Sequence, residues 1–242
     1  MPAVFVHGVA DTHRLWNPLR SHLQRSDVIA VSLPGFDAPI PSGFDSTKEA
    51  YAQWLIEEIE RIGEPVDLVG HDWGALLVQR VVSLRPDLIR TWACGSGPAD
   101  REYVWHDIAQ QWQTPEVGEQ VMAGMTPEVL QGLLVANNVP AAEAEETVRY
   151  VDDTMKDSIL RLYRSAVHVG EEWHDAVDAI TRPALIIWGA DDPYVQVQFG
   201  QRLAERVGGE LLVFENCGHW WPLERPAEAA AALERFWSSH SS

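Results

Sequence analysis

Short apolar runs alternate with amphipathic stretches along much of this 242-residue chain. The apolar runs cover residues 3–6, 28–31, 66–69, 91–94, 184–188 and 210–214, and they lack the polar alternation of a half-exposed strand. Such runs are typical of parallel strands that are covered on both faces. Helices are predicted between them, over residues 47–62, 75–84, 197–207 and 227–237. The alternation predicts an α/β fold with a mostly parallel sheet flanked by helices.

The alternation stops between residues 98 and 182. This stretch has no clear strand, several amphipathic segments and many aromatic rings. We interpret residues 98–182 as a helical cap inserted over one end of the sheet, which leaves residues 1–97 and 183–242 as the core domain. Most of the rings should pack the cap onto the core, and a minority should line a cavity, because small-molecule pockets are mostly apolar and aromatic.

The charge balance excludes several classes of partner. With 18 basic and 36 acidic side chains, the net charge is −18. Nucleic acids and anionic membranes need a basic surface, so neither is an expected partner. No apolar run approaches the roughly 18 residues of a membrane span, and the first residues do not have the pattern of a signal peptide. We expect a cytoplasmic protein in which Cys94 and Cys217 stay reduced.

The segment Gly70-His71-Asp72-Trp73-Gly74 lies between a predicted strand and a predicted helix. A sharp strand-to-helix turn has no room for flanking side chains, so glycines on either side make the middle residue project above the sheet. The N-terminus of the following helix favours negative charge there. The pattern predicts Asp72 as a nucleophile. Taken alone, it also fits an aspartate that merely caps the helix.

Two later loops carry groups that could work with Asp72. Asp191 and Asp192 follow the strand predicted at residues 184–188, and His219 follows the strand predicted at residues 210–214. The order Asp72, Asp192, His219 is the nucleophile–acid–base order of α/β-hydrolases. Each loop has a simpler explanation, since Asp and Pro favour turns and a loop histidine can be structural. The agreement of all the pieces favours an enzyme.

These motifs resemble those of the α/β-hydrolase superfamily, and within it the epoxide hydrolases and haloalkane dehalogenases, where an Asp-Trp pair fills the turn as Asp72-Trp73 does here. The resemblance spans essentially the whole chain and implies the α/β-hydrolase fold with a cap. It also implies Asp72 as nucleophile and His219 as base. The Gly-x-x-Asp spacing from Gly189 favours Asp192 over Asp191 as the acid. The oxyanion donors would be the backbone N–H groups of Val9 and Trp73.

The implied reaction has two steps. Asp72 attacks a saturated carbon and forms an alkyl ester, and a water molecule activated by the His219–Asp192 pair then hydrolyses that ester. The expected partners are water and a small-to-medium neutral organic substrate. We expect His7, Trp73, Trp105, His106, Tyr163 and Trp220 to contact that substrate. No metal or organic cofactor is expected, because no cluster has metal-ligand spacing and no glycine-rich loop has phosphate-binding spacing.

The leaving group distinguishes the two branches. An epoxide oxygen needs a proton or a strong hydrogen bond, which related epoxide hydrolases supply from cap tyrosines. Tyr163 occupies a position similar to one of these, whereas Gln111 stands where the other is usual, and Tyr103 is a possible replacement. A halide needs only weak N–H donors, such as the Trp73 indole. We favour an epoxide, and keep a dehalogenase and a non-catalytic ligand receptor, or other non-hydrolytic chemistry, as alternatives.

Overall fold

The computed structural model describes residues 1–240. Its six strands form one sheet in the order β2-β1-β3-β4-β5-β6, in which every neighbouring pair is parallel. Their bounds are β1 (Ala3–Val6), β2 (Val28–Val31), β3 (Val66–His71), β4 (Ile89–Gly95), β5 (Ala184–Gly189) and β6 (Glu210–Phe214). The predicted α/β class and the parallel sheet are therefore confirmed.

Twelve α-helices occur in the described part of the chain. They are α1 (Asn17–Arg20), α2 (Lys48–Ile62), α3 (Trp73–Leu84), α4 (Asp107–Gln113), α5 (Val117–Gly124), α6 (Pro127–Ala136), α7 (Ala141–Val148), α8 (Asp153–Ser165), α9 (Val169–Asp178), α10 (Val197–Val207), α11 (Trp221–Glu224) and α12 (Pro226–Ser239). Short 3₁₀ helices cover His13–Trp16 and Pro86–Leu88. No helix among these residues is long and apolar enough to cross a membrane.

The ends of α2 show how local sequence sets the bounds of a helix. The Thr47 side chain caps the N-terminus by accepting a hydrogen bond from the Ala50 N–H at 3.3 Å. At the other end, Gly63 adopts a left-handed conformation with φ of 80°. The 47–62 prediction is thus correct to one residue. In contrast, α3 begins at Trp73, two residues before the prediction, because the turn at Asp72 leads directly into it.

The sheet separates two apolar layers. The inner strands β1, β3 and β5 are buried throughout, whereas β2 and β6 at the edges are partly exposed. On one face, Val4 and Leu68 belong to the core that also contains the buried sides of α2 and α3. On the other face, Phe5 and Val69 pack with residues of α12. This two-sided cover explains why the central strands have no polar alternation.

Six helices, α4 to α9, lie between β4 and β5 in the chain. This is where the sequence pattern predicted helices without strands. Because all six strands are parallel, their carboxyl ends meet at one edge of the sheet, and the loops that leave β1, β3, β5 and β6 come together there. In open α/β sheets, this edge is the usual location of a ligand site.

Candidate active site

Asp72 occupies a strained turn between β3 and α3. Its backbone has φ of 55° and ψ of −122°, a conformation that is uncommon for a residue with a side chain. The neighbouring glycines make the turn possible. A Cβ atom on Gly70 would lie 2.3 Å from the carbonyl oxygen of Gly74, and one on Gly74 would lie 2.1 Å from the carbonyl oxygen of Val6. The spacing predicted for a nucleophile turn therefore corresponds to a real steric requirement.

His219 lies between two carboxylates. Its Nδ1 is 2.9 Å from Asp192 Oδ2, and its Nε2 is 3.5 Å from Asp72 Oδ2. Asp192 is itself held in place, since its Oδ1 accepts hydrogen bonds from the backbone N–H groups of Tyr194 and Val195 at 2.9 and 3.0 Å. Asp191 is exposed, and its neighbour Asp192 is the residue that contacts the histidine. This arrangement can orient an imidazole and balance its charge.

The loop after β1 contributes a backbone donor to the same site. The Val9 N–H donates a hydrogen bond to Asp72 Oδ1 at 2.8 Å. Trp73 is the first residue of α3, and a helix leaves the N–H groups of its first turn without partners inside the helix. The Val9 N–H thus contacts the Asp72 carboxylate, and the Trp73 N–H, which follows Asp72 in the chain, has no partner within the helix. Donors of this kind can stabilise negative charge that develops on a carboxylate-derived oxygen.

The charges of His219 and of the two carboxylates stabilise each other in the ionised form. Burial alone would lower the pKa of His219, but the Asp192 and Asp72 carboxylates outweigh it and raise this pKa to about 10. Burial alone would raise the pKa of Asp72, but hydrogen bonding and charge from His219 lower it overall. At neutral pH, Asp72 is an anion beside a histidinium. An ionised Asp72 needs no base to become a nucleophile.

A cavity of about 120 Å³ opens onto Asp72 and His219. Its walls are largely apolar, with Leu76, Met125, Leu130, Leu133 and Leu134 among the aliphatic residues. Its aromatic and polar lining residues are Asp72, Trp73, Ser96, Tyr103, Trp105, His106, Trp112, Tyr163, Tyr194, His219 and Trp220. The side chains of α4, α6 and α8 thus meet the loops that carry Asp72 and His219 around a cavity suited to a small apolar molecule.

Comparisons with known proteins agree with this geometry. The model of the alpha/beta hydrolase family matches residues 3–233. The chain belongs to this family. Among curated relatives of this α/β-hydrolase, an (E)-2-((N-methylformamido)methylene)succinate hydrolase of Acinetobacter baylyi is 24% identical over 237 residues, which cover 96% of this chain and 89% of that protein.

Solved structures resemble the same α/β-hydrolase fold. A thermophilic esterase from Thermogutta terrifontis superposes with a TM-score of 0.83 at 17% identity, over 100% of this chain and 91% of the other. The epoxide hydrolase CorEH gives 0.81 at 20% identity, over 98% and 91%. At such identities the likeness establishes the fold, and the chemistry must be argued from the residues of the site.

His7 is the one predicted substrate contact that lies outside the cavity. Its side chain is fully buried. Its Nε2 accepts the Leu33 N–H at 3.0 Å, and its Nδ1 lies 2.8 Å from the Gly8 carbonyl oxygen. Both ring nitrogens therefore contact backbone groups and are not available to a substrate. The expected role in substrate binding is corrected: His7 holds the loop that carries Val9 in place. The other predicted contacts, Trp73, Trp105, His106, Tyr163 and Trp220, line the cavity of this α/β-hydrolase.

The three positions considered for a proton donor to the leaving oxygen differ in burial and in hydrogen bonding. Gln111 is exposed and is not among the cavity-lining residues. Tyr103 lines the cavity, but its hydroxyl donates to the Tyr194 carbonyl oxygen at 3.3 Å. Tyr163 is 1% exposed, and its ring packs edge-on against Trp73, the neighbour of Asp72, with centroids 5.4 Å apart. Burial raises the pKa of Tyr163 well above its usual value, so the phenol stays protonated.

Two residues beside the site were not predicted to act there. Asp11 is buried, and its Oδ2 accepts the Trp220 indole N–H at 3.2 Å, which joins the Val9 loop to the His219 loop. Burial raises the pKa of Asp11 to about 7. Tyr194 lines the cavity and packs against His219. The only sequence signal for these residues was their position: Asp11 lies three residues after Gly8, and Tyr194 lies two residues after Asp192.

One group in the described part of the chain has the spacing of metal ligands, and it lies away from the cavity. It consists of His174, Asp175 and Asp178 on α9. Asp175 pairs with Arg101, and Asp178 pairs with Arg206 at 2.6 Å. The acids are thus neutralised by arginines, and no argument for a metal follows from this group.

Proposed function

We propose that this α/β-hydrolase is an epoxide hydrolase that acts on small, neutral epoxides through a covalent ester on Asp72. The observation that carries the proposal is the placement of an ionised aspartate in the nucleophile turn, with the Val9 N–H on Oδ1 at 2.8 Å and His219 beside Oδ2. A serine in this turn would need a base to remove its proton. Asp72 needs none, and it can attack a saturated carbon directly.

In the first step, an Asp72 oxygen attacks one carbon of the epoxide ring. The C–O bond of that carbon breaks, and its electron pair moves to the ring oxygen. An alkoxide is a poor leaving group unless it is protonated, and the buried phenol of Tyr163 supports donation from the α8 side of the cavity. The products of this step are a hydroxyalkyl ester of Asp72 and a tyrosine phenolate.

In the second step, water attacks the carbonyl carbon of the ester. Esterification removes the negative charge of Asp72, which is one of the two carboxylates that raise the pKa of His219. The pKa of His219 therefore falls once the ester exists, and the histidinium passes its proton to the Tyr163 phenolate, which restores the phenol and leaves a neutral imidazole that can act as a general base. The oxyanion that forms lies next to the Val9 and Trp73 N–H groups. When the adduct collapses, the histidinium formed by taking a proton from water protonates the departing diol oxygen, and the acid proton left on Asp72 moves to His219, which restores the resting ion pair.

A haloalkane dehalogenase is the second candidate, because the Trp73 indole favours it. Trp73 lines the cavity, and its buried Nε1 has no hydrogen-bond partner among the residues that the structure describes. A free indole N–H beside the nucleophile could stabilise a departing halide. Against this, buried hydroxyl donors in the same cavity suit an oxygen leaving group better, and a halide does not need them.

The experiment that tests the proposal is intact-mass analysis of His219→Gln after incubation with a panel of epoxides and a panel of alkyl halides. A mass gain equal to the whole epoxide, absent in His219→Gln/Asp72→Asn, is the expected result. A gain equal to an alkyl group without halogen would identify a dehalogenase. If neither panel leaves an adduct and the wild type turns over neither, the proposal is wrong and a receptor or a different reaction replaces it.

A further inference from the structure

A second phenol, that of Tyr194, lines the same cavity from a loop outside α8. Tyr194 lies in the loop after β5, two residues beyond Asp192, and it is among the cavity-lining residues. Its backbone N–H binds Asp192 Oδ1 at 2.9 Å, which fixes the start of the side chain relative to the catalytic acid. Its ring packs edge-on against His219, with centroids 5.2 Å apart. Tyr194 is therefore held by the same loop that orients the histidine.

The Tyr194 hydroxyl is available to a ligand. Within residues 1–240, no side chain or backbone group forms a hydrogen bond with it. Tyr103, the other phenol on this wall, differs because its hydroxyl already donates to the Tyr194 carbonyl oxygen. Burial raises the pKa of Tyr194, with a further contribution from the Asp192 and Asp72 carboxylates, so the hydroxyl keeps its proton at neutral pH. The Tyr194 phenol is therefore a protonated hydrogen-bond donor that has no acceptor in the protein and can donate to a ligand in the cavity.

Both phenols pack against residues that adjoin Asp72. Tyr163 packs against Trp73, which follows Asp72 in the chain, and Tyr194 packs against His219, whose Nε2 is 3.5 Å from Asp72 Oδ2. A substrate in contact with Asp72 would therefore lie in a cavity that both phenols line. A single phenol leaves the second lone pair of a developing alkoxide without a donor in a largely apolar space, and an unpaired buried charge is costly.

We infer that Tyr194 is a catalytic residue that donates a hydrogen bond to the leaving oxygen of the substrate, together with Tyr163. This inference rests on the proposed function. When the ring C–O bond breaks, the alkoxide takes one proton, from either phenol, and the other phenol keeps its proton and stabilises the product hydroxyl by a hydrogen bond. No redox partner or further reactant is involved. The pair thus replaces the cap donor that Gln111, exposed on α4, cannot provide.

The test separates ester formation from ester hydrolysis. In the His219→Gln background, Tyr194→Phe should slow the accumulation of the Asp72 adduct by roughly 10- to 100-fold, as expected for the loss of one acid donor. With His219 intact, single-turnover hydrolysis of the ester should change less than about 3-fold, because the donor acts on the first step only. Tyr150→Phe, a remote tyrosine whose hydroxyl binds Glu146, is the matched control for both measurements.

Each alternative result has a distinct meaning. If Tyr194→Phe leaves adduct formation unchanged while Tyr163→Phe slows it, Tyr163 acts alone and the inference is overturned. If Tyr194→Phe slows hydrolysis as much as formation, the hydroxyl does not act specifically on ring opening, and the proposed role is again overturned. Failure of His219→Gln itself to form any adduct would instead contradict the proposed function.

Discussion

The ionisation of His219 is coupled to that of Asp72 at the level of single residues. The pKa of this histidine is raised to about 10, in spite of its burial, by Asp192 and Asp72. An imidazole that stays protonated up to that pH cannot act as a base in the resting enzyme. In the proposed mechanism, Asp72 must therefore lose its charge before His219 can activate water, so the order of the two steps follows from electrostatics.

Asp72→Asn mimics the loss of charge on esterification and should lower the pKa of His219. The wild-type imidazole should remain protonated through neutral pH and titrate near 10, whereas the variant should titrate at a lower pH. The Cε1–H chemical shift of His219, followed by NMR from pH 5 to 11, measures both. Equal titration curves for the two proteins would contradict the coupling.

The same coupling has a consequence for stability. Because the pKa of His219 is higher in the folded than in the unfolded protein, its ion pairs contribute fully below the unfolded value of about 6.5. That contribution is lost as the pH rises towards 10. The free energy of unfolding should therefore fall over this range more steeply for the wild type than for His219→Gln, as measured by urea denaturation. A slope that is the same in both proteins would contradict this prediction.

At the level of elements, the strand–turn–helix unit of β3, Asp72 and α3 depends on the close approach of its backbone to that of β1.

The predicted and observed bounds agree for β1, β2 and β6. The parallel class was predictable because apolar runs bounded by turns are a local property of the sequence. The closeness of Asp72, Asp192 and His219 was predictable because a motif fixes the backbone at each of them, whereas their catalytic roles remain a prediction. Tyr194 and Asp11 could not be assigned, because their importance comes from contacts across loops that are distant in the chain.

Gly74→Ala should destabilise this unit. The new Cβ would lie 2.1 Å from the Val6 carbonyl oxygen, and backbone atoms of both elements would have to move. We expect a loss of about 3 kcal/mol in the free energy of unfolding, or failure to fold, typical of severe overpacking. Gly132→Ala in α6 is the control: no atom lies within 4 Å of its added Cβ, and helix propensity predicts a gain of up to about 1 kcal/mol. Equal stabilities for the two variants would refute the steric argument.

The Asp11–Trp220 hydrogen bond joins the Val9 loop to the His219 loop, and it should matter for the second step of the proposed mechanism. Asp11→Ala leaves the buried Trp220 indole N–H unpaired and frees the His219 loop from the Val9 loop. Small displacements of a base can cost about 10-fold or more in rate. Single-turnover ester hydrolysis at pH 8 should slow by about that factor in Asp11→Ala and recover in Asp11→Asn, which keeps an acceptor. An unchanged rate in Asp11→Ala would show that the Asp11–Trp220 hydrogen bond does not position His219 for ester hydrolysis.

For the whole molecule, charge and cavity composition select against anionic substrates. The chain carries a net charge of −18, and no Lys or Arg is among the described residues that line the cavity. The His219 imidazolium at the cavity is already paired with Asp72 and Asp192, so a substrate carboxylate would enter a largely apolar space beside the Asp72 anion without a free cationic partner. The cavity and the surface therefore both favour neutral molecules.

Matched substrates can test this selectivity. An epoxide that carries a carboxylate should have a kcat/KM at least about 100-fold below that of its methyl ester, because burying an unpaired charge costs several kcal/mol. Added salt should recover little of the loss, since screening acts mainly on exposed charges. Steady-state kinetics at low and high ionic strength measure both effects. Comparable kcat/KM values for the acid and the ester would show that the cavity supplies a cation.

The most direct test of the covalent role of Asp72 is a single turnover in H₂¹⁸O with enzyme in excess over epoxide. Because water attacks the carbonyl carbon of the ester, the account predicts ¹⁸O in the Asp72 carboxylate and none in the diol, as read by mass spectrometry of the peptide that contains Asp72. An unlabelled Asp72 with one ¹⁸O in the diol would mean that water attacks the substrate directly, and would contradict the account.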